Sequence, residues 1–319
     1  MMYRLENKCQ QQVKKKLSNL ILILLITIII LNVAVQLYHS NNHYDRVDIF
    51  IIDYFVGEEF NAGEVISHGI IVEDVIKSVD DDLNTNNYDI TFRAGDTVED
   101  EEAKYLKGLE EIIAYKRNNP EREVIINVSL VFYEYNQKHE QLIKEAIEEG
   151  ITIVAAAGND SLEKELYPAA FSEVIAVANA RDSGKEDSSN YGEHIDISAP
   201  GNVEKIFSEL YQKNFGNYDT NGTSYSAPRV AASLAKLLEL EQGLEAEDAL
   251  EIMFSNSNSI SDELYEEKKL GSGLLNLNQA IKEVDIYYYV INKVENLSLF
   301  LMITLFFSVV YSLQLKLKT

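Results

Sequence analysis

The residues of this chain best suited to chemistry are a serine, a histidine and an amide, set far apart in sequence. Ser224 stands in Asn221-Gly222-Thr223-Ser224-Tyr225-Ser226-Ala227-Pro228, a tight turn feeding a helix. Gly222 lets the backbone turn sharply. Ser224 is expected in the first helical turn, where free N–H groups and the helix dipole favour negative charge. An exposed hydroxyl in that field meets the needs of an acyl-transfer nucleophile. Pro228 is expected within the same first turn, where its missing N–H costs little. An ordinary capped helix start uses the same residue types, so the partners decide. His68 is the one histidine of five that combines a following glycine with a helix start, and imidazole is the natural base for deprotonating serine near neutral pH. His39 and His43 sit beside an apolar span, His139 reads as part of a charged helix, and His194 lies near a later strand. Asn159 follows a buried strand and could aim a side-chain N–H at a tetrahedral oxyanion; the plain alternative is a Gly-Asn turn.

These residues need elements to bring them together. Val47 to Ile52 reads as a buried parallel strand that delivers Asp53 at its C-terminal end. Val72, Val75, Ile76 and Val79 give the helix after His68 an apolar face. Further strands are expected at Tyr88–Arg93, Glu123–Phe132, Ile151–Ala157, Val174–Val177 and His194–Ile197. Helices are expected from Thr97 to about Pro120, from Asn136 to Glu149 with a stop at Gly150, behind Ser224 through Leu238, from Ala246 to Phe254, and in a short stretch through Ile281. Alternating strands and helices predict an α/β fold with a mainly parallel sheet covered on both faces, whose sites lie beyond the carboxyl ends of the strands.

Charge and hydropathy bound the rest. The chain has 319 residues and a net charge of −24. Setting aside the five bases and one acid of the first sixteen residues and the two lysines of the tail leaves 21 bases and 51 acids, a net of −30. So acidic a body repels nucleic acid, and none is expected as a partner. The single cysteine, Cys9, excludes an intrachain disulfide and is a site open to palmitoylation. Leu17–Leu37 is free of charge and long enough to span a bilayer. A cleaved signal peptide is the alternative, but the apolar region is long and no small-x-small site follows. Leu297–Leu313 is a second apolar run with flanking tyrosines, against a buried C-terminal helix as its alternative. Both runs carry their lysines on the terminal side, which predicts a two-span cell-membrane protein with both termini cytoplasmic and the body outside. The expected divisions are a basic cytoplasmic segment 1–16, a transmembrane helix 17–37, a linker 38–47, a catalytic domain 48–283, a juxtamembrane segment 284–296, a transmembrane helix 297–313 and a cytoplasmic tail 314–319. The lipid bilayer is then a partner. No acidic loop has the ligand spacing of a metal site, so no cofactor is expected and structural calcium is left open.

Taken together, several stretches resemble the subtilisin-like serine peptidases. Gly-Thr-Ser-x-Ser-x-Pro around Ser224 matches the family's nucleophile motif, Ala-Ala-Gly-Asn ending at Asn159 its oxyanion asparagine, and His68-Gly69 the start of its histidine motif. Tyr167-Pro-Ala-Ala, Ser189-Asn-Tyr-Gly, Ala199-Pro-Gly and Gly271-Ser-Gly-Leu-Leu-Asn match framework stretches in the same order, so the likeness covers Asp48 to about Ile281. The resemblance implies a three-layer subtilisin-like fold, flanked here by the two transmembrane helices. It implies a serine endopeptidase with Asp53, His68 and Ser224 as triad and Asn159 in the oxyanion hole. It further implies a peptide or protein substrate added as a strand near Ser129, Leu130 and Ala155, Ala156, Ala157 and Gly158. Tyr54, Phe55 and Ile70 depart from the family pattern and bear on the rim of the site, and no inhibitory prodomain is expected between Leu37 and Asp48. A catalytically inactive pseudopeptidase that binds peptides is the competing reading.

Overall fold

Strand β1 (Val47–Asp53) shows why the sheet must be covered twice. Val47, Ile49 and Ile51 pack into one apolar cluster, whereas Ile52 lies in a second, with Phe50 against it. Side chains alternate across a strand, so a run apolar at every position belongs to a sheet buried on both faces. The computed structural model describes residues 46–55, 67–91, 95–206, 220–241 and 243–284, all within the unit Asp45–Thr319. β1 pairs in parallel with β2 (Asn84–Asp89) and with β3 (Glu123–Val128). β3 pairs with β4 (Ile151–Ala156), β4 with β5 (Ile175–Arg181), and β5 with β7 (Ile197–Ala199), all parallel. β6 (Gly184–Lys185) folds back antiparallel on the end of β5.

Helices α1 (His68–Val79), α4 (Thr223–Leu240) and α5 (Ala246–Ser255) fill the first cluster; α2 (Val98–Asn118) and α3 (Gln137–Glu148) fill the second. A short helix, α6 (Glu263–Glu266), follows. The caps explain where the outer helices begin. Thr97 and Asp100 form a reciprocal capping box at α2, and the Asn136 side chain accepts from the N–H groups of Lys138 and His139 at α3. Gly150, at φ 78°, closes the turn after α3. α4 is different: it is apolar almost all round, with Val230, Leu234, Leu237 and Leu238 at most 1% exposed, as a central core helix should be. Burying each such side chain contributes about 1.5–3 kcal/mol, which fixes α4 against β1, β3, β4, β5 and β7.

The three-layer α/β arrangement is the expected one, with local corrections. The strand expected at Tyr88–Arg93 is Asn84–Asp89 instead. Among the described residues it has one neighbouring strand, and several of its positions are half-exposed, so backbone pairing rather than an apolar run defines it. β3 ends at Val128 rather than running to Phe132, and the last strand is Ile197–Ala199 rather than His194–Ile197. Pro228 lies inside α4, not in its first turn. Among the described residues no helix is long and apolar enough to cross a membrane. Both apolar runs, 17–37 and 297–313, lie outside the described residues, as do segments 1–16 and 314–319, most of the expected linker 38–47 and all but Val284 of the juxtamembrane segment.

Candidate active site

The registers set the site. Ile52 is level with Val128, and Val128 with Ala155. Asp53, Ser129 and the Ala157-Gly158-Asn159 turn therefore leave three adjacent parallel strands along one edge, where parallel sheets gather their functional groups. Helix α1 opens at the same edge with His68, and α4 with Thr223 and Ser224.

Asp53 and His68 meet directly. His68 Nδ1 lies 2.7 Å from Asp53 Oδ1, with the Asp53 side chain fully buried and the His68 side chain 30% exposed. The Tyr54 N–H donates to the same Oδ1 at 2.7 Å, while Oδ2 is buried without a hydrogen-bond partner among the described residues. Burial raises the Asp53 carboxyl above its ordinary value, with the His68 charge and hydrogen bond opposing. Burial pulls the His68 imidazole down, but the charge of Asp53 and its hydrogen bond outweigh it, and the imidazole ends above its ordinary 6.5. With Nδ1 committed to the carboxylate, Nε2 is left as the basic nitrogen. The unusual Phe55 is accommodated by Gly69: a methyl there would strike the Phe55 ring at 2.8 Å, and the Gly69 N–H donates to the Tyr54 carbonyl at 2.9 Å. Tyr54 in turn reaches Glu101 on α2 through its hydroxyl.

Ser224 is held by Ser129. Pro228 has no N–H, so the Ser224 carbonyl four residues earlier loses its helical donor. The Ser129 hydroxyl takes that place at 2.8 Å. The Ser224 hydroxyl donates in return to the Ser129 carbonyl, 3.2 Å away. Asn127, fully buried, donates from Nδ2 to Ser129 Oγ at 3.0 Å. Among the described residues no hydrogen bond joins Ser224 to His68, although the His68 ring lies 5.6 Å from that of Tyr225, the residue after Ser224.

Asn159 is oriented by a residue that sequence reading did not single out. Its Oδ1 accepts from both the N–H and the hydroxyl of Thr223, each at 3.0 Å. Its Nδ2 consequently faces Gly222, where an added Cβ would lie 3.3 Å away. Beneath this, the Thr223 hydroxyl accepts from the Gly158 N–H at 3.2 Å. Asn179 ties the two supporting loops together, accepting from the Gly201 N–H at 2.8 Å and donating to Asn221 at 2.9 Å. A methyl on Gly201 would overlap the Gly222 carbonyl oxygen.

The expected substrate-binding segments divide. Ser129 and Leu130 leave the sheet beyond the last paired residue of β3, and among the described residues Leu130 and Val131 pair with no strand before Phe132 bridges Tyr167. Ala155, Ala156 and Ala157 are at most 1% exposed, the first two within β4 and Ala157 just beyond its end. The Ala157 N–H donates to Val177, and Gly158 is engaged through both its N–H and its carbonyl, the latter by Asn190. The main chain of Ala157 and Gly158 is thus bonded within the protein, whereas among the described residues 130–131 have no strand partner. His139 lies in α3, the charged helix expected for it, and is fully buried there, edge-on to Tyr105, Phe132 and Phe171 at 4.8, 5.7 and 5.0 Å. Among the described residues no three His, Cys, Asp or Glu side chains gather as metal ligands would.

Known proteins share this chain's pattern. Subtilisin DY of Bacillus licheniformis is 31% identical over 162 residues, 49% of this chain and 56% of that protein. The major intracellular serine protease of Bacillus subtilis (strain 168) is 39% identical over 108 residues, 32% of this chain and 33% of that one. A subtilisin-like protease of Coccidioides posadasii (strain C735) is 37% identical over 123 residues, 38% and 29% respectively. The chain thus spans between about a third and just over half the length of these curated relatives. Among solved structures, the prenylagaramide maturation protease PagA superposes with a TM-score of 0.59 at 22% identity, covering 78% of this chain and 97% of that one. A lanthipeptide protease gives 0.57 at 18%, covering 75% and 88%. These two share the fold. A sequence profile of the Subtilase family matches residues 79–277, beginning after Asp53 and His68. That match takes in more than half the chain, with Asn159 and Ser224 inside it, and the fold agrees with it: the chain belongs to the subtilase family.

Proposed function

We propose that this protein is a membrane-anchored serine endopeptidase. The observation that carries the reading is the pairing of His68 with the buried Asp53 carboxylate at the sheet edge where α4 presents Ser224. His68 Nε2 takes the Ser224 proton as the hydroxyl attacks a peptide carbonyl, and Asp53 holds the imidazole and stabilises its charged form. Asn159 Nδ2 and the Ser224 N–H receive the oxyanion; His68 then protonates the leaving amine, and water releases the acyl group. An extended peptide adds along the open edge at Ser129–Val131, main chain to main chain. The apolar runs 17–37 and 297–313, each with lysines on its terminal side, support a bilayer tether with the body outside the cell. Geometry then favours substrates at the membrane surface, such as an exported peptide or its precursor.

The competing reading, a peptide-binding pseudopeptidase, draws on the Ser224 hydroxyl resting on Ser129 rather than on His68. Unliganded sites often tighten only on binding. A fluorophosphonate probe separates the two: the wild-type full-length protein is expected to be labelled and Ser224→Ala, inserted at the same level, is not. Wild-type protein that resists labelling across pH 6–9 would sink the peptidase reading and leave the binding module.

A further inference from the structure

We propose that Tyr54 is a positioning residue for the Asp53–His68 pair: its main chain joins the carboxylate to helix α1, and its hydroxyl, seated on Glu101 of α2, holds that main chain from the opposite face of the sheet. The proposal rests on His68 acting as the base for Ser224.

Tyr54 is the first residue beyond β1. Its N–H donates to Asp53 Oδ1 at 2.7 Å, the same oxygen that lies 2.7 Å from His68 Nδ1. Among the described residues these two are the carboxylate's only hydrogen-bond partners, since Oδ2 has none. The Tyr54 carbonyl accepts from the Gly69 N–H at 2.9 Å, and Gly69 follows His68 in the first turn of α1. One residue thus touches the acid through its N–H and the helix that carries the base through its carbonyl. Its φ and ψ are the soft dihedrals between those two groups. A change in either moves the carboxylate and the imidazole relative to each other.

The side chain fixes those dihedrals. Along an extended chain, successive side chains point to opposite faces. Phe55 packs with the cluster of α1 and α4, and its ring occupies the space beside Gly69. Tyr54 packs with the cluster of α2 and α3, and its hydroxyl donates to Glu101. Glu101 lies in the first turn of α2, directly after the Asp100 that closes the capping box with Thr97, so the acceptor stands on a fixed helix start. Glu101 is half-buried, and burial raises its carboxyl above the ordinary value with the charge of Lys104 opposing. Water therefore competes less for that acceptor, and a hydroxyl on a carboxylate makes one of the stronger hydrogen bonds. Tyr54 and Phe55 are two of the three residues that depart from the subtilase pattern. A small side chain at position 54 would not reach α2. The two departures brace the pair from both faces of the sheet.

The test uses the full-length chain and a peptidyl diphenyl phosphonate, whose capture by Ser224 needs the base. The rate at saturation and the half-saturating concentration are measured separately for wild type, Tyr54→Phe, Glu101→Ala and Glu101→Gln, with thermal unfolding of each. Tyr54→Phe loses only the hydroxyl, and Glu101→Gln keeps an acceptor oxygen. Tyr54→Phe and Glu101→Ala are each expected to lower the saturating rate about tenfold, less than the roughly 10²-fold that a 1 Å misplacement costs, with the half-saturating concentration unchanged. Glu101→Gln is expected to stay within about threefold of wild type, and Tyr54→Phe/Glu101→Ala to be no slower than either single variant, as members of one contact behave. A lower melting temperature with wild-type saturating rates would mean a purely structural link and overturns the proposal. So does a change confined to the half-saturating concentration, a Glu101→Gln as slow as Glu101→Ala, or losses that multiply in the double variant. If His68→Ala is captured as fast as wild type, or wild type is not captured at all, the assignment of the base falls and the proposal with it.

Discussion

At Asp53, burial and charge act in opposite directions on the neighbouring imidazole, and the charge prevails. The base of the proposed mechanism must be neutral to accept the Ser224 proton. Activity should therefore fall on acidification through a value above 6.5, the imidazole's ordinary pKa. Asp53→Asn removes the charge and leaves the burial, so its acid limb should move to lower pH while kcat drops about 10³–10⁴-fold. Profiles of kcat/KM from pH 5 to 9 for both proteins check this; an unmoved limb would show that Asp53 does not set the His68 basicity. Residues at this scale were unequally legible. Ser224 and Asn159 announce themselves because their neighbours are constrained to turn or to pack closely. Thr223 stood in the open beside Ser224, yet its hold on Asn159 crosses 64 residues, and Asn179 reaches Asn221 across 42. Local spacing carries no trace of such contacts.

Among the elements, the residues just after β7 and just before α4 depend on close approach. Gly201 lies against the Gly222 carbonyl with no space for a methyl group, and the Ser226 hydroxyl donates to the Ala199 carbonyl at 2.8 Å across the same contact. Gly201→Ala should push the turn outward, costing about 1–3 kcal/mol of stability and slowing fluorophosphonate labelling by about 10²-fold through misplacement of Ser224. Thermal unfolding and labelling rate measured on one preparation test it, and a labelling rate equal to wild type would refute the coupling. The helices and buried strands were readable from periodicity because each has an apolar face or core to fill. β2 was not, because Asn84-Thr85-Asn86-Asn87 has no apolar run and joins β1 by backbone pairing and by the Asn84 side chain on Asp48. Pro228 was misplaced for a related reason: Ser129, 95 residues from Ser224, compensates the helix for its missing donor, and nothing near Pro228 announces that.

For the molecule as a whole, the apolar cluster between α2, α3 and the sheet encloses a titratable group. His139 has Nε2 on the Tyr105 hydroxyl at 2.9 Å and Nδ1 without a partner among the described residues, and burial lowers its pKa to about 4 from 6.5. The unfolded chain binds this proton first, so stability should be fully retained above pH 6.5 and decline as pH falls toward 4, by up to about 3 kcal/mol. Urea unfolding at pH 7 and pH 4.5 should show that slope in wild type and a flatter one in His139→Gln; identical slopes would exclude His139 as its source. The alternation of strands and helices made the layered fold legible, while the polar sequence around His139 concealed its interior position. The place of α4 also has a consequence in time. It packs on strands drawn from β1 to β7, and those strands are all synthesised before it. A ribosome moving at roughly 5–20 residues per second finishes the sheet well before it delivers the helix that closes one side. The hydroxyl of Ser224, the proposed nucleophile, rides on that helix, so a nascent chain carries it only after every strand that the helix packs on has been made.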